Sequence, residues 1–299
     1  MILDRINGPK DLKTLNAAER KELAQEIRQA MLKRASIHGG HFGPDFGIVE
    51  ATIALHTVFD SPKDKIVWDV SHQVYPHKIL TGRKQAYLEE EHYDDVSGYS
   101  NPAESEHDFF EVGHTSTSIS LASGLAMARD LRGGHENIIA VIGDGSMSGG
   151  EALEGLDTVG EMGTNMIIVL NDNQMSIAEV HGGMYKGFEE LRRTGGKSEH
   201  NLFRAMGLDY RFVADGNDSE ALIKVFREVK DMDHPVVVHI VTQKGKGYKF
   251  AEENKESWHW HMPFDIETGE IKQPYVDEAA ELTASYLLDR LKTDKKLAI

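Results

Sequence analysis

The sequence predicts an α/β protein built on a mostly parallel sheet with helices on both faces, and three observations carry that expectation. Ile138-Ile139-Ala140-Val141-Ile142 and Met166-Ile167-Ile168-Val169-Leu170 are short unbroken apolar runs, the pattern of strands buried on both faces. Between them Leu153, Leu156, Val159 and Met162 share one face of a helix, opened by Ser148 as N-cap with Glu151 three residues on. Two further runs, Lys65–Asp69 and Pro235–Val241, read as strands of the same kind. A strand–helix–strand unit joins parallel strands through a right-handed crossover, so both carboxyl ends reach one edge of the sheet. Those ends read Gly143-Asp144-Gly145-Ser146 and Asn171-Asp172-Asn173. Open α/β sheets bind ligands along that edge. A carboxylate and an amide oxygen meeting there suit a hard divalent cation, most naturally Mg²⁺ holding a diphosphate. A turn aspartate and a strand-capping asparagine are the plain structural alternative. Two better-known phosphate motifs fail: a dinucleotide fingerprint needs glycine where Ser148 stands, and a Walker A loop ending at Gly196-Lys197-Ser198 needs glycine at Leu191.

At 299 residues, 40% hydrophobic with 28 glycines, the chain can bury a sizeable core. No apolar run reaches the roughly 20 residues of a membrane helix, and the N-terminus lacks the pattern of a secretory signal. The absence of cysteine excludes disulfides, thiolate nucleophiles and Cys-ligated metal. A formal charge of −16 argues against nucleic acid as a partner. A cytoplasmic enzyme acting on small molecules is the expectation.

In chain order, Asn16-Ala17-Ala18-Glu19 is a capping-box start, and Leu23, Ile27, Ala30 and Met31 continue an amphipathic helix to about Arg34, placed on the outside of the domain. The segment His38–Pro44 is too glycine-rich to be helical; there His41 either faces a ligand or is a solvated loop histidine. Ile48 to Phe59 reads as a buried helix. Past the Lys65–Asp69 strand, His72 and His77 lack the i, i+4 partner typical of zinc sites and suit donation to an anion. Residues 84–108 read as a polar surface excursion. Gly113–Ser118 opens a helix through Ala128; its N-terminus is either a second diphosphate contact or ordinary Ser/Thr capping. Residues 176–205 read as a mobile connector, flexible over about 178–200, that could act as a lid. Ser219–Lys230 is a further helix. Trp258-His259-Trp260-His261 contains a His-x-His pair with no carboxylate or thiol cluster to complete a zinc site.

Taken together, Gly39–Phe42, Asp69–Gln73, Tyr75–Arg83, Gly113–Ser118, Gly143–Gly145, Asn171–Asn173 with Met175–Ile177, and Lys244–Tyr248 resemble the 1-deoxy-D-xylulose-5-phosphate synthase family of the transketolase superfamily, along nearly the whole chain. Asp144 with Asn173 spaced 29 residues beyond it is similar to the thiamine-diphosphate motif of that superfamily. The resemblance implies the thiamine-diphosphate-binding fold of a diphosphate-binding (PP) domain over residues 1–292, with an N-terminal helical extension. It implies Asp144, the Asn173 side chain and the Met175 carbonyl as Mg²⁺ ligands. His72, Gly113, His114, Thr115, Gly145, Ser146, Asn173 and Tyr248 would contact thiamine diphosphate, and His41 and His259 would handle protons or substrate at the reaction centre. The implied reaction is decarboxylative condensation of a 2-oxo acid, pyruvate, with an aldehyde phosphate, glyceraldehyde 3-phosphate.

Three departures accompany the resemblance. Residues 293–299 look like the start of a pyrimidine-binding domain, so the chain is expected to be inactive alone and to work as a homodimer or with a chain carrying that domain. Its connector after Ile177 is shorter than is usual in the family. Ser71 stands where glycine is usual, and Asn217 where histidine is frequent. An N-terminal subunit of a split transketolase acting on ketose phosphates, and a non-catalytic cofactor-binding paralogue, are the alternatives.

Overall fold

The central strands are runs of Ile, Val, Ala and Leu whose polar residues cluster at the carboxyl ends, and they assemble as such runs must, between two layers of helix. The computed structural model describes residues 1–272 and 277–297. Its strands are β1 Gly40–His41, β2 Lys65–Trp68, β3 Ile138–Gly143, β4 Ile167–Asp172, β5 Asp209–Val213, β6 Val236–Val241 and β7 Trp260–His261. The helices of two turns or more are α1 Ala17–His38, α2 Val49–Val58, α3 Ser118–Leu131, α4 Gly150–Met162, α5 Gly183–Arg193, α6 Ser219–Val229 and α7 Glu278–Thr293. Strands β2 to β6 form one sheet in the order β2-β3-β4-β6-β5, with every pairing parallel. β1 and β7 form a separate antiparallel pair that places Gly40 opposite His261.

Alternation along the strands divides the core. Ile139 and Val141 of β3, with Ile167 and Val169 of β4, face α2 and α6 through Leu55, Leu222 and Phe226. Ile138, Ala140, Ile142, Ile168 and Leu170 face α3, α4 and α5 through Ile119, Leu156, Phe188 and Leu191. A third cluster lies outside α2, where Leu23, Ile27 and Met31 of α1 meet Phe42, Phe46, Tyr248, Trp258 and Phe264. The capping box of Asn16 and Glu19 opens α1 as expected, and the helix runs one turn further, to His38.

Several local expectations are corrected. Asp144–Met147 forms its own turn of helix, closed by Ser148, so the N-cap of α4 is Gly149. Of His38–Pro44 only Gly39–Phe42 is non-helical, because His38 ends α1 and Gly43–Gly47 makes one helical turn. Residues 84–108 are anchored rather than superficial, with Tyr87, Tyr93 and Asp108 buried. The connector is not structureless: α5 occupies Gly183–Arg193 and is held by buried Phe188 and Leu191, three apart on one face. The sequence also reads as a helix over Tyr275–Lys292; Tyr275 lies outside the described residues and α7 is described from Glu278, while residues 293–299, which read as the opening of a strand, fall partly outside the described residues. No described helix is long and apolar enough to cross a membrane.

Candidate active site

The pairing of β3 with β4 sets Gly143 opposite Asn171, so Asp144 and Asn173 leave neighbouring strands at one edge. There His41, His72, Thr115, Asp144, Gly145, Ser146, Asn173, Met175, Lys244 and His259 line a cavity of about 260 Å³. The edge therefore gathers most of the residues singled out from the sequence. Asn173 Oδ1 accepts the Met175 amide at 3.1 Å, which folds residues 173–175 back over Asp144. Gly145 is required by that fold, since a Cβ there would lie 2.9 Å from Ser176 Cβ.

Both carboxylate oxygens of Asp144 are buried and have no hydrogen-bond partner among the described residues. Burial, with the charge of Asp172 nearby, pushes this carboxyl up to about 8; the Gly145 and Gln174 amides approach without completing a bond and temper the rise. Orphaned buried acceptors are costly unless something occupies them. A divalent cation fits this donor set: one carboxylate, the Asn173 amide oxygen and the Met175 carbonyl.

Across the cavity, the rings of His41, His72 and His259 lie within 5.9 Å of one another, centroid to centroid. Desolvation lowers His41 to about 4 and His259 to about 3, and depresses His72 strongly, so all three are neutral imidazoles at pH 7. Nδ1 of His72 and of His259 has no partner among the described residues. The reading of His41 as a solvated loop histidine therefore fails. Its neighbour Gly40, at φ 125°, is required because a Cβ there would meet the Tyr75 hydroxyl at 2.8 Å.

His72 follows a tight turn in which Val70 and Ser71 both adopt positive φ, 56° and 61°, which explains why glycine suits position 71. Ser71 compensates with its hydroxyl, donating to the Val112 carbonyl at 2.6 Å and accepting the Ser100 amide at 3.0 Å. Asn217 is likewise absorbed structurally: its side-chain amide donates to the Gly47 carbonyl and to Glu50.

Four residues expected at the site, Gly113, His114, Tyr248 and His77, are not among those that line this cavity. Gly113 and His114 are exposed and outside the cavity lining, with Thr115 at its rim. The start of α3 is not a free anion site, because Asp69 accepts the Ser116 and Ser118 amides at 2.9 Å. Tyr248 packs against Phe42, Trp258 and Phe264, and its hydroxyl donates to the Ile266 carbonyl. His77 is fully buried between His56 and Asp108, at 2.9 Å from each, and does not line the cavity.

Lys244, within the Lys-Gly-Lys-Gly-Tyr motif, is a charged lining residue to which the sequence assigns no role. Its ammonium donates to the Ser176 and Ile177 carbonyls at 2.8 and 3.3 Å, and burial lowers it to about 8. Gly43 leaves room for its stem, since a Cβ there would lie 3.0 Å from Lys244 Cγ. A wider cleft of about 890 Å³ continues past Asn173 and Met175 along α5, lined by Tyr185, Lys186, Arg192, Arg193 and Lys255.

This edge and this sheet define a class. The fold is that of solved transketolases: the enzyme from Campylobacter jejuni superposes with a TM-score of 0.65 at 17% identity, covering 94% of this chain and 50% of its own. That from Leishmania mexicana gives 0.63 at 18%, covering 93% and 45%. A family model described as 1-deoxy-D-xylulose-5-phosphate synthase matches residues 3–198 and 194–242. The synthase of Desulfitobacterium hafniense is 41% identical over 99% of this chain and 53% of its own length. The synthase 2 of Geobacter sulfurreducens is 43% identical over 90% and 49%. The chain belongs to the 1-deoxy-D-xylulose-5-phosphate synthase family and spans about half the length of the relatives it matches.

Proposed function

We propose that this chain supplies the diphosphate- and Mg²⁺-binding half of a thiamine-diphosphate site. The reaction is the decarboxylative condensation of pyruvate with glyceraldehyde 3-phosphate to 1-deoxy-D-xylulose 5-phosphate. The observation that carries the reading is the buried, unpartnered carboxylate of Asp144 beside Asn173 at the sheet edge of a chain of this family. Asp144, the Asn173 side chain and the Met175 carbonyl would hold the cation. His72, Gly145, Ser146 and Thr115 would contact the diphosphate or its neighbourhood; Gly113 and His114, which precede Thr115 in the chain, and Tyr248 are not among the residues that line the cavity. When bound, the cofactor supplies the electron sink that makes loss of CO₂ from a 2-oxo acid accessible.

The neutral imidazoles of His41 and His259 can accept a proton from, or donate a hydrogen bond to, a bound oxygen, and both face the cavity. Lys244 holds the 175–177 loop in place and adds positive charge on the side where a phosphate would sit. The cavity of about 260 Å³ falls short of the roughly 300–1,000 Å³ typical of complete small-molecule sites, which agrees with a half-site. The other half would come from a pyrimidine-binding domain, in a homodimer or on a separate chain.

The test mixes or joins this chain with a pyrimidine-binding domain and adds thiamine diphosphate, Mg²⁺, pyruvate and glyceraldehyde 3-phosphate. CO₂ release that depends on the aldehyde is the expected result. Ketol transfer from a ketose phosphate without CO₂ would shift the reading to a transketolase. Cofactor binding with neither activity would make the chain a non-catalytic binding paralogue.

A further inference from the structure

Arg192 stands on the last turn of α5, a helix anchored to the core by Phe188 and Leu191. Its guanidinium donates to Oδ2 of Asp172. The same oxygen accepts from His239 Nε2 at 2.8 Å, and Oδ1 accepts the Gln174 amide at 3.2 Å. His239 is braced in turn by the Tyr210 hydroxyl, 2.7 Å from its Nδ1. Asp172 is thus fully buried and has both oxygens engaged, whereas neither buried oxygen of Asp144 accepts a hydrogen bond among the described residues. These two acids stand at the ends of neighbouring strands with their carboxyl groups approaching each other. A further contact ties α5 to the same edge, since the Tyr185 hydroxyl donates to the Gly145 carbonyl at 3.4 Å.

The charge balance gives this asymmetry a consequence. A divalent cation held by two carboxylates is neutralised and has little left to attract an anion. Held by one carboxylate and neutral oxygens, it keeps a net positive charge for a diphosphate. We infer that Arg192 is a positioning residue for the cation site, acting through Asp172: it occupies the second carboxylate, so that Asp144 alone faces the cation and the pocket stays attractive to a diphosphate. This rests on the reading of Asp144 as a cation ligand.

The experiment measures two affinities on the full chain. One is for Mn²⁺ alone, followed by the loss of its free-ion paramagnetic resonance signal; the other is for thiamine diphosphate at saturating Mg²⁺. Arg192→Met is expected to bind Mn²⁺ alone more tightly, by roughly three- to ten-fold, and thiamine diphosphate more weakly by a similar factor. Arg192→Lys, which keeps the charge, should stay near the parent in both. Opposite signs are the signature, because a merely structural role weakens both affinities together. If Arg192→Met weakens both or changes neither, the inference is overturned. Should Arg192→Met fail to fold, Arg192→Gln, which retains a hydrogen bond without the charge, is read by the same criteria. Asp144→Asn is the control: if the parent's Mn²⁺ binding does not depend on Asp144, the cation-site reading falls, and this inference with it.

Discussion

At Asp144 a carboxyl pushed up to about 8 by burial and by Asp172 holds its proton at pH 7 when no cation is bound. A cation must displace that proton, so Mg²⁺ binding at pH 7 should release close to one proton per ion. Calorimetry in buffers of different ionisation enthalpy would measure it, and Asp144→Asn should remove both the binding and the release. The facing histidines act in the opposite sense. His41 and His259 titrate in the folded chain near 4 and 3, below their ordinary value of 6.5, so the unfolded chain binds protons that the folded one refuses. Their contribution to stability is therefore intact above about 6.5 and is lost as the pH falls towards 4. Asp144 alone would favour folding as the pH falls from about 8 to 4, and measuring in Asp144→Asn separates the two. In that variant the melting midpoint should drop steadily from pH 7 to 4.5, and His41→Asn should flatten the slope; a midpoint independent of pH would contradict the buried neutral state. Motifs made His41, His72 and His259 legible as candidates, but no spacing could show three rings converging from positions spread over more than 200 residues of chain. The same limit misplaced His77, whose partners His56 and Asp108 are non-local, and Tyr248, which an aromatic cluster claims.

Elements were legible where burial on both faces leaves an unbroken apolar run. β3, β4 and β6 lie within two residues of their expected bounds, and α2 and α6 follow theirs closely. β5 was missed because it is an edge strand: Asp209 and Arg211 interrupt its run, and only Tyr210 and Val213 are buried. The two-residue pair β1 and β7 is fixed by contact across the chain and has no local signature. α5 was hidden by its glycines, Gly183 and Gly187, which lower helix propensity; packing of Phe188 against Phe203 overrides them. That packing sets a test of whether the connector is an ordered wall or a mobile lid. Phe188 is 2% exposed, so Phe188→Ala should destabilise the chain by about 3 kcal/mol in urea unfolding. It should also loosen Arg192, weakening Mg²⁺-dependent cofactor binding. A loss under about 1 kcal/mol would mean that α5 is scarcely attached.

For the whole molecule, the sheet, its two helical layers and the aromatic cluster outside α2 form a core that draws nothing from α7. No residue of that helix is buried, and Leu282, Tyr286 and Leu288 are 73%, 64% and 60% exposed. Its Asp277 cap, which accepts the Ala279 and Ala280 amides, is local, and its ion pairs, Arg290 with Asp294 and Lys292 with Asp289, are surface pairs within one turn, worth a few tenths of a kcal/mol. Every residue lining the candidate cavity lies before position 260. Fold and cation site should therefore survive without the last segment. A chain ending at Lys272 is expected to melt within about 2 °C of the full chain and to bind thiamine diphosphate with Mg²⁺ within about two-fold of it. Scanning calorimetry and fluorescence titration of the two chains measure this directly. If the shorter chain lost several degrees or most of its cofactor affinity, α7 would have to be packing on the core in solution, and its apolar side chains would count as part of the domain instead of a face left for another body to cover.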